Sequence, residues 1–227
     1  MSSAVSARLT VKRDVVIEPF GLPGTLQQPK GTNALVAFAH GSGSSRLSPR
    51  NRQVGNALNA RGIATFLFDL LTPDEESDRR NVFDIPLLAG RLVAAIRWLD
   101  QNEDTGRLHL GLFGASTGAA AALVAAAQLG GRVEAVVSRG GRPDLAMEAL
   151  PKLRAPALLI VGGDDTPVIA LNKSAFDKLK GPKSLIIVPG ASHLFSEAGA
   201  LERVIELAAE WFKPYLCAKP ASRSSCL

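Results

Sequence analysis

Ser116 stands in a Gly114-Ala115-Ser116-Thr117-Gly118 frame, a G-x-S-x-G spacing that can hold a nucleophile. At a sharp strand-to-helix turn the serine hydroxyl is pushed clear of a sheet, and the crowded flanking positions must lack side chains. The helix that follows turns its N-terminal dipole toward charge developing on the oxygen. A hydroxyl is a weak nucleophile near neutral pH. It needs a base, and the base needs a carboxylate to orient it.

Both partners are present downstream, each just past an apolar run. Ala157–Val161 leads into Gly162-Gly163-Asp164-Asp165, and Ser184–Val188 leads into Pro189-Gly190-Ala191-Ser192-His193. The chain has three histidines, so one falling where the base belongs carries weight. Of the two acids, either can orient the base, and the other can cap the next helix. Acyl chemistry also needs two backbone N–H groups aimed at the oxyanion. Thr117, directly after the nucleophile, supplies one. Ser42, in the His40-Gly41-Ser42-Gly43 loop after the run Ala34–Ala39, supplies the other, with Gly43 as the fallback.

The stretch "GLFGASTGAA" can also be read as a phosphate cradle. A dinucleotide fingerprint needs G-x-G-x-x-G after a strand and an acid about 20 residues on. Here the glycines fall as G-x-x-G-x-x-x-G, and the next strand ends at Arg139. The loop at Gly41 and Gly43 comes closer, with Asp69 as the acid, but Arg46 occupies the third glycine position. No cofactor is expected. His109 begins a strand at the end away from the site and reads as structural, and the two cysteines, Cys217 and Cys226, lie near the C-terminal end, so no metal centre is expected.

The elements that must position these residues follow from the apolar pattern. An antiparallel hairpin over residues 9–28 turns at Gly21-Leu22-Pro23-Gly24. Buried strands are predicted at Ala34–Ala39, Ile63–Leu70, Leu108–Phe113, Val133–Ser138, Ala157–Val161 and Ser184–Val188. Helices are predicted at Pro49–Asn59, Val82–Asp100 (with Pro86 as a candidate first turn), Gly118–Leu129, Leu145–Leu150, Ile169–Leu179 and Gly199–Trp211. Strands alternating with helices imply an α/β fold, a mostly parallel sheet with helices on both faces. Residues 1–218 read as one domain and 219–227 as a frayed tail.

Composition bounds the partners. The 227 residues are 46% hydrophobic, enough for one domain with a sizeable core. The net charge is +5, yet the basic residues are scattered and aromatics make up 5%, which argues against nucleic acid. No apolar run is long enough for a signal-peptide core or a membrane span, and the cysteine pattern suits a reducing compartment, so a cytoplasmic location and no membrane partner are expected. Arg46, Arg139 and Arg142 could line the mouth and select anionic substrates, or form a solvated rim.

Together, Gly114–Gly118, "HGSG" at 40–43, "GGDD" at 162–165 and "GASH" at 190–193 resemble the α/β-hydrolase superfamily, and within it the small lid-less dienelactone-hydrolase-like group. The resemblance covers nearly the whole chain. It implies Ser116 as nucleophile, His193 as base and, by the family's G-x-x-D run, Asp165 as acid. It also implies a structural His40 beneath the oxyanion loop. Dienelactone hydrolases use a cysteine nucleophile, whereas this chain has serine. A small carboxylic ester, thioester or lactone is therefore the expected substrate. The rival expectation is a chain of this fold that has lost its chemistry and binds small molecules.

Overall fold

In the computed structural model, residues 9–217 are described. The expected tail at 219–227 lies outside them. The strands are β1 (Thr10–Ile17), β2 (Leu22–Pro29), β3 (Ala34–Ala39), β4 (Ala64–Phe68), β5 (His109–Ala115), β6 (Val133–Arg139), β7 (Ala157–Gly162) and β8 (Lys183–Val188). The helices are α1 (Pro49–Ala60), α2 (Pro73–Ser77), α3 (Ile85–Asp100), α4 (Thr117–Leu129), α5 (Thr166–Lys178) and α6 (Ala200–Phe212).

The strands form one sheet in the order β1-β2-β4-β3-β5-β6-β7-β8. From β4 to β8 all neighbours are parallel, while the N-terminal hairpin joins antiparallel through β2 and β4. The central strands are buried on both faces, and their period-2 alternation sorts side chains between two cores. Leu35, Ala37 and Ala39 of β3 join α3, α4 and α5 on one face. Ala34, Val36 and Phe38 join α1 and α6 on the other.

The chain runs from β3 to β4 on one side, then crosses back to place β5 on the other side of β3. Loops after β3 and β5 therefore diverge from adjacent strand ends, which is where open α/β sheets bind ligands. Ala119, Ala120, Ala121 and Ala122 of α4 are fully buried, and their small side chains let the helix pack closely on its neighbours.

Four elements differ from the expectation. The helix predicted at Leu145–Leu150 is replaced by two 3-10 turns, Pro143–Ala146 and Leu150–Lys152, because Pro143 and Pro151 interrupt an α-helical ladder. Residues 140–156 hold no other element, so there is no lid domain. α2 is an added helix, closed by a capping box between Thr72 and Glu75. α5 begins at Thr166, with Pro167 in its first turn. After α6 the chain continues through Pro214 as a π-helical turn, Lys213–Cys217, and buries Leu216. Among the described residues no helix is long and apolar enough to cross a membrane.

Candidate active site

The turn between β5 and α4 sets Ser116 at φ 52° and ψ −122°, a conformation that L-residues adopt only under constraint. The constraint is close packing on both sides. A Cβ on Gly114 would lie 2.4 Å from Ala119 Cα, and one on Gly118 would lie 2.3 Å from the carbonyl oxygens of Ala39 and His40. Gly118 thus lets α4 approach the end of β3. Gly118→Ala is expected to lower stability by about 1–3 kcal/mol, because the obstructing atoms are backbone and the helix must shift. A thermal melt of this variant beside the wild type checks it.

Asp165 follows β7 and His193 follows β8, and backbone bonds couple the two loops. Gly163 N–H donates to Val188 O at 2.8 Å, and Asp164 N–H donates to Ala191 O at 3.0 Å. The outcome is a 2.7 Å hydrogen bond between His193 Nδ1 and Asp165 Oδ2, with the Asp165 side chain 13% exposed. Asp164 is exposed, and its side chain makes no hydrogen bond among the described residues. The histidine loop is held by Phe195, fully buried at φ 54°, and by the Glu197 carboxylate, which accepts the Ser192 N–H at 3.0 Å. Hydrogen bonding from the Ser192 side chain, and then from its backbone N–H, brings the Glu197 carboxyl down to about 2.

Ser116 and His193 line one cavity of about 230 Å³, together with the loop Gly41-Ser42 after β3. Nδ1 of His193 is committed to Asp165, which leaves Nε2 for a partner in the cavity. Ser116 and His193 make no direct hydrogen bond in this structure, a common state of unliganded sites, where such contacts tighten with substrate. Thr117 opens α4, so its N–H has no acceptor inside the helix. The Ser42 N–H donates to Thr117 Oγ1 at 3.0 Å. Both amides stand at the same rim, and the Ser42 amide is engaged by a hydroxyl.

His40 lies under this loop, with Nδ1 at 3.0 Å from the Gly41 carbonyl and Nε2 accepting the Leu70 N–H at 3.0 Å. The pair of bonds fits a neutral ring. Burial pushes its pKa below the ordinary 6.5, against the Gly41 bond and the carboxylates of Asp69 and Glu76. The unfolded chain therefore binds the proton more readily, and the stabilisation is complete above 6.5 and lost as pH falls below it. The slope is at most ~1.4 kcal/mol per pH unit. Melting temperature is expected to fall between pH 7 and pH 5 by more in the wild type than in His40→Gln. His109, at the start of β5, lies at the opposite end of the sheet against Glu134.

Of the arginines considered for the mouth, Arg46 pairs with Asp69 and Arg142 with Asp144. Arg139 alone lines the cavity, joined by Arg50 and Asn51 from the first turn of α1. Neither of the last two was legible as a site residue. Their only signal is a position shortly after the Gly41-Ser42 loop, behind the helix cap Ser48.

The sequence profile of the dienelactone hydrolase family matches residues 52–216. The chain belongs to the dienelactone hydrolase family. A crystal structure of a dienelactone hydrolase from Anabaena variabilis is similar at 55% identity and a TM-score of 0.88, over 92% of this chain and 99% of that one. The fold is also that of Est1E from Butyrivibrio proteoclasticus, at 16% identity and a TM-score of 0.76, over 90% of this chain and 98% of that one. Two Mycobacterium tuberculosis proteins, provisionally named phosphoribosyl transferases, are 55% identical over 203 residues, 89% of this chain. This dienelactone hydrolase family chain spans 46% of their length, so their name is not carried to it.

Proposed function

We propose that this chain is a serine hydrolase that cleaves small carboxylic esters, or the related thioesters and lactones, through an acyl-enzyme. One observation carries the reading. A single small cavity is lined by Ser116, on its constrained turn, and by His193, whose far nitrogen is held by Asp165. Membership of a hydrolase family supports it.

His193 Nε2 takes the proton from Ser116 Oγ as the oxygen attacks the carbonyl carbon. Asp165 keeps the ring in the tautomer that can accept that proton and stabilises the imidazolium that forms. The oxyanion is received by the N–H of Thr117 and by that of Ser42, which exchanges the Thr117 hydroxyl for the substrate oxygen. The proton on His193 passes to the leaving group. Water, deprotonated by His193, then attacks the acyl-enzyme and regenerates Ser116. The nucleophile, the base, the acid and the oxyanion donors in this sequence all belong to this chain.

A series of p-nitrophenyl esters from acetate to decanoate, with one thioester alongside, tests the proposal. A cavity of about 230 Å³ without a lid favours short acyl groups, so kcat/KM is expected to peak at the short end and fall with length. No turnover of any ester, combined with tight binding of a small ligand, would instead identify a binding module.

A further inference from the structure

We infer that Asn172, on α5, is a positioning residue: its side-chain amide tethers the Gly140–Arg142 segment, which in turn holds the backbone of Ser116 against the His193 loop. The role in turnover rests on the hydrolase reading above. The tether itself rests on hydrogen bonds and burial.

The constrained turn at Ser116 is held through both of its backbone groups. Its N–H donates to the Arg139 carbonyl at 3.3 Å, and its carbonyl accepts the Arg142 N–H at 3.1 Å. Both partners belong to the chain leaving β6, so the nucleophile turn moves with that segment. The same segment backs the histidine loop. A Cβ on Gly140 would lie 2.9 Å from the His193 carbonyl oxygen and 3.6 Å from the ring carbon Cε1. Residues 139–142 therefore touch both the nucleophile turn and the base.

Gly140 and Gly141 are a weak point in this link. Neither has a side chain to pack, and glycine has backbone freedom that other residues lack, so hydrogen bonds must fix them. The Gly140 N–H donates to the Ile160 carbonyl at 2.8 Å. Gly141 is held through its carbonyl, which accepts from Asn172 Nδ2 at 3.0 Å. Among the described residues no other hydrogen bond reaches that oxygen.

Asn172 is out of place by every other measure. It is fully buried, in a stripe with Val168 and Ala175 where α5 would be served by an apolar side chain. Asparagine is a weak helix former, and Oδ1 of Asn172 is buried without a partner among the described residues, which destabilises the fold. Its orientation is nonetheless unambiguous. The NH2 group meets two carbonyls, Gly141 O and, at 2.8 Å, Val168 O, and a turned amide would set oxygen against oxygen. One hydrogen thus stays within the helix, and the other leaves it for Gly141. Asp165 is the cap residue of α5, so this side chain joins the helix that starts at the acid to the segment that holds the nucleophile.

Asn172→Leu fills the volume and removes the tether. A misplacement of about 1 Å can lower a rate about 100-fold, so kcat on the best p-nitrophenyl ester is expected to fall about 10- to 100-fold. KM should change little, because Asn172 does not line the catalytic cavity. Fluorophosphonate labelling of Ser116 should slow by the same factor as kcat. Asn172→Ser is the second variant, should leucine fail to fold. Its hydroxyl can bond back to Val168 O within the helix but is too short to reach Gly141, so the same loss is expected.

Asn59→Leu is the control. Asn59 is also a buried asparagine on a helix, donating to Ile63 O at 2.8 Å and to Thr65 Oγ1 at 3.1 Å, toward the opposite end of the sheet. Its substitution should lower Tm and leave kcat, measured well below the melt, within about twofold of wild type.

Amide hydrogen exchange followed by NMR supplies a readout that needs no substrate. The Arg142 N–H, which donates to Ser116 O, should exchange about tenfold faster or more in both Asn172 variants and at the wild-type rate in Asn59→Leu. An unchanged kcat in both Asn172 variants, a loss of kcat matched by Asn59→Leu, or unchanged exchange at Arg142 overturns the tether. Faster exchange in a protein that hydrolyses no ester would sink the hydrolase reading and leave the tether standing. Ester turnover with neither kcat nor exchange altered by the Asn172 variants would do the reverse.

Discussion

Ser116→Ala is expected to lower kcat by about four to six orders of magnitude on any ester the wild type accepts, while KM changes little. The size follows from the chemistry. Without the hydroxyl there is no acyl-enzyme, and His193 can only activate water, with residual catalysis from the oxyanion amides. The fold is not expected to suffer, because alanine takes the same backbone and the side chain makes no hydrogen bond that is lost. Ser116→Gly separates strain from chemistry. A residue with a side chain at φ 52° stores on the order of 1–3 kcal/mol, of which glycine returns the larger part after its own entropy cost. Its melting temperature is expected to rise by about 2–4 °C as activity disappears. Steady-state kinetics and melts of the two variants together check both halves.

Asp165→Asn is expected to lower kcat by about 10⁴ with geometry preserved. The amide keeps the volume and the hydrogen bond to His193. As a donor toward Nδ1, however, it favours the opposite tautomer, which leaves Nε2 protonated and unable to accept from Ser116. Asp164→Asn is the matched control. Its side chain is exposed and free of hydrogen bonds, and the backbone bond from Asp164 to Ala191 is unaffected, so activity should stay within a few fold. A pH–rate profile adds a readout that a structural defect would not give. The profile of Asp165→Asn should differ in shape from that of the wild type, and the profile of Asp164→Asn should match it.

The sheet and the three loops that gather Ser116, Asp165 and His193 were legible because each rests on a backbone requirement. Gly114 and Gly118 sit where a Cβ would strike α4 or the end of β3, so the sequence has no choice there. The buried strands read as apolar runs because both faces are covered. What remained illegible depends on side-chain direction or on distant partners. Arg46 looked like a rim charge until Asp69, 23 residues on, was found to hold both its backbone N–H and its guanidinium. Arg50 and Asn51 reach the site only because α1 packs on β4 and α6, which no local pattern encodes. The engagement of the Ser42 amide by Thr117 Oγ1 depends on a rotamer. α2 carries the T-x-x-E signature at Thr72 but buries no residue, so no helical period announces it. The prolines at 143 and 151 bracket a six-residue apolar pattern that resembles a helix and is too short to become one.

The most direct measurement is peptide mapping by mass spectrometry after reaction of the wild-type protein with a fluorophosphonate. A single adduct on the peptide containing Ser116 is predicted, formed far more slowly in Asp165→Asn and absent in Ser116→Ala. An adduct on any other residue, or none in a preparation that hydrolyses esters, would contradict the assignment of Ser116 as the nucleophile.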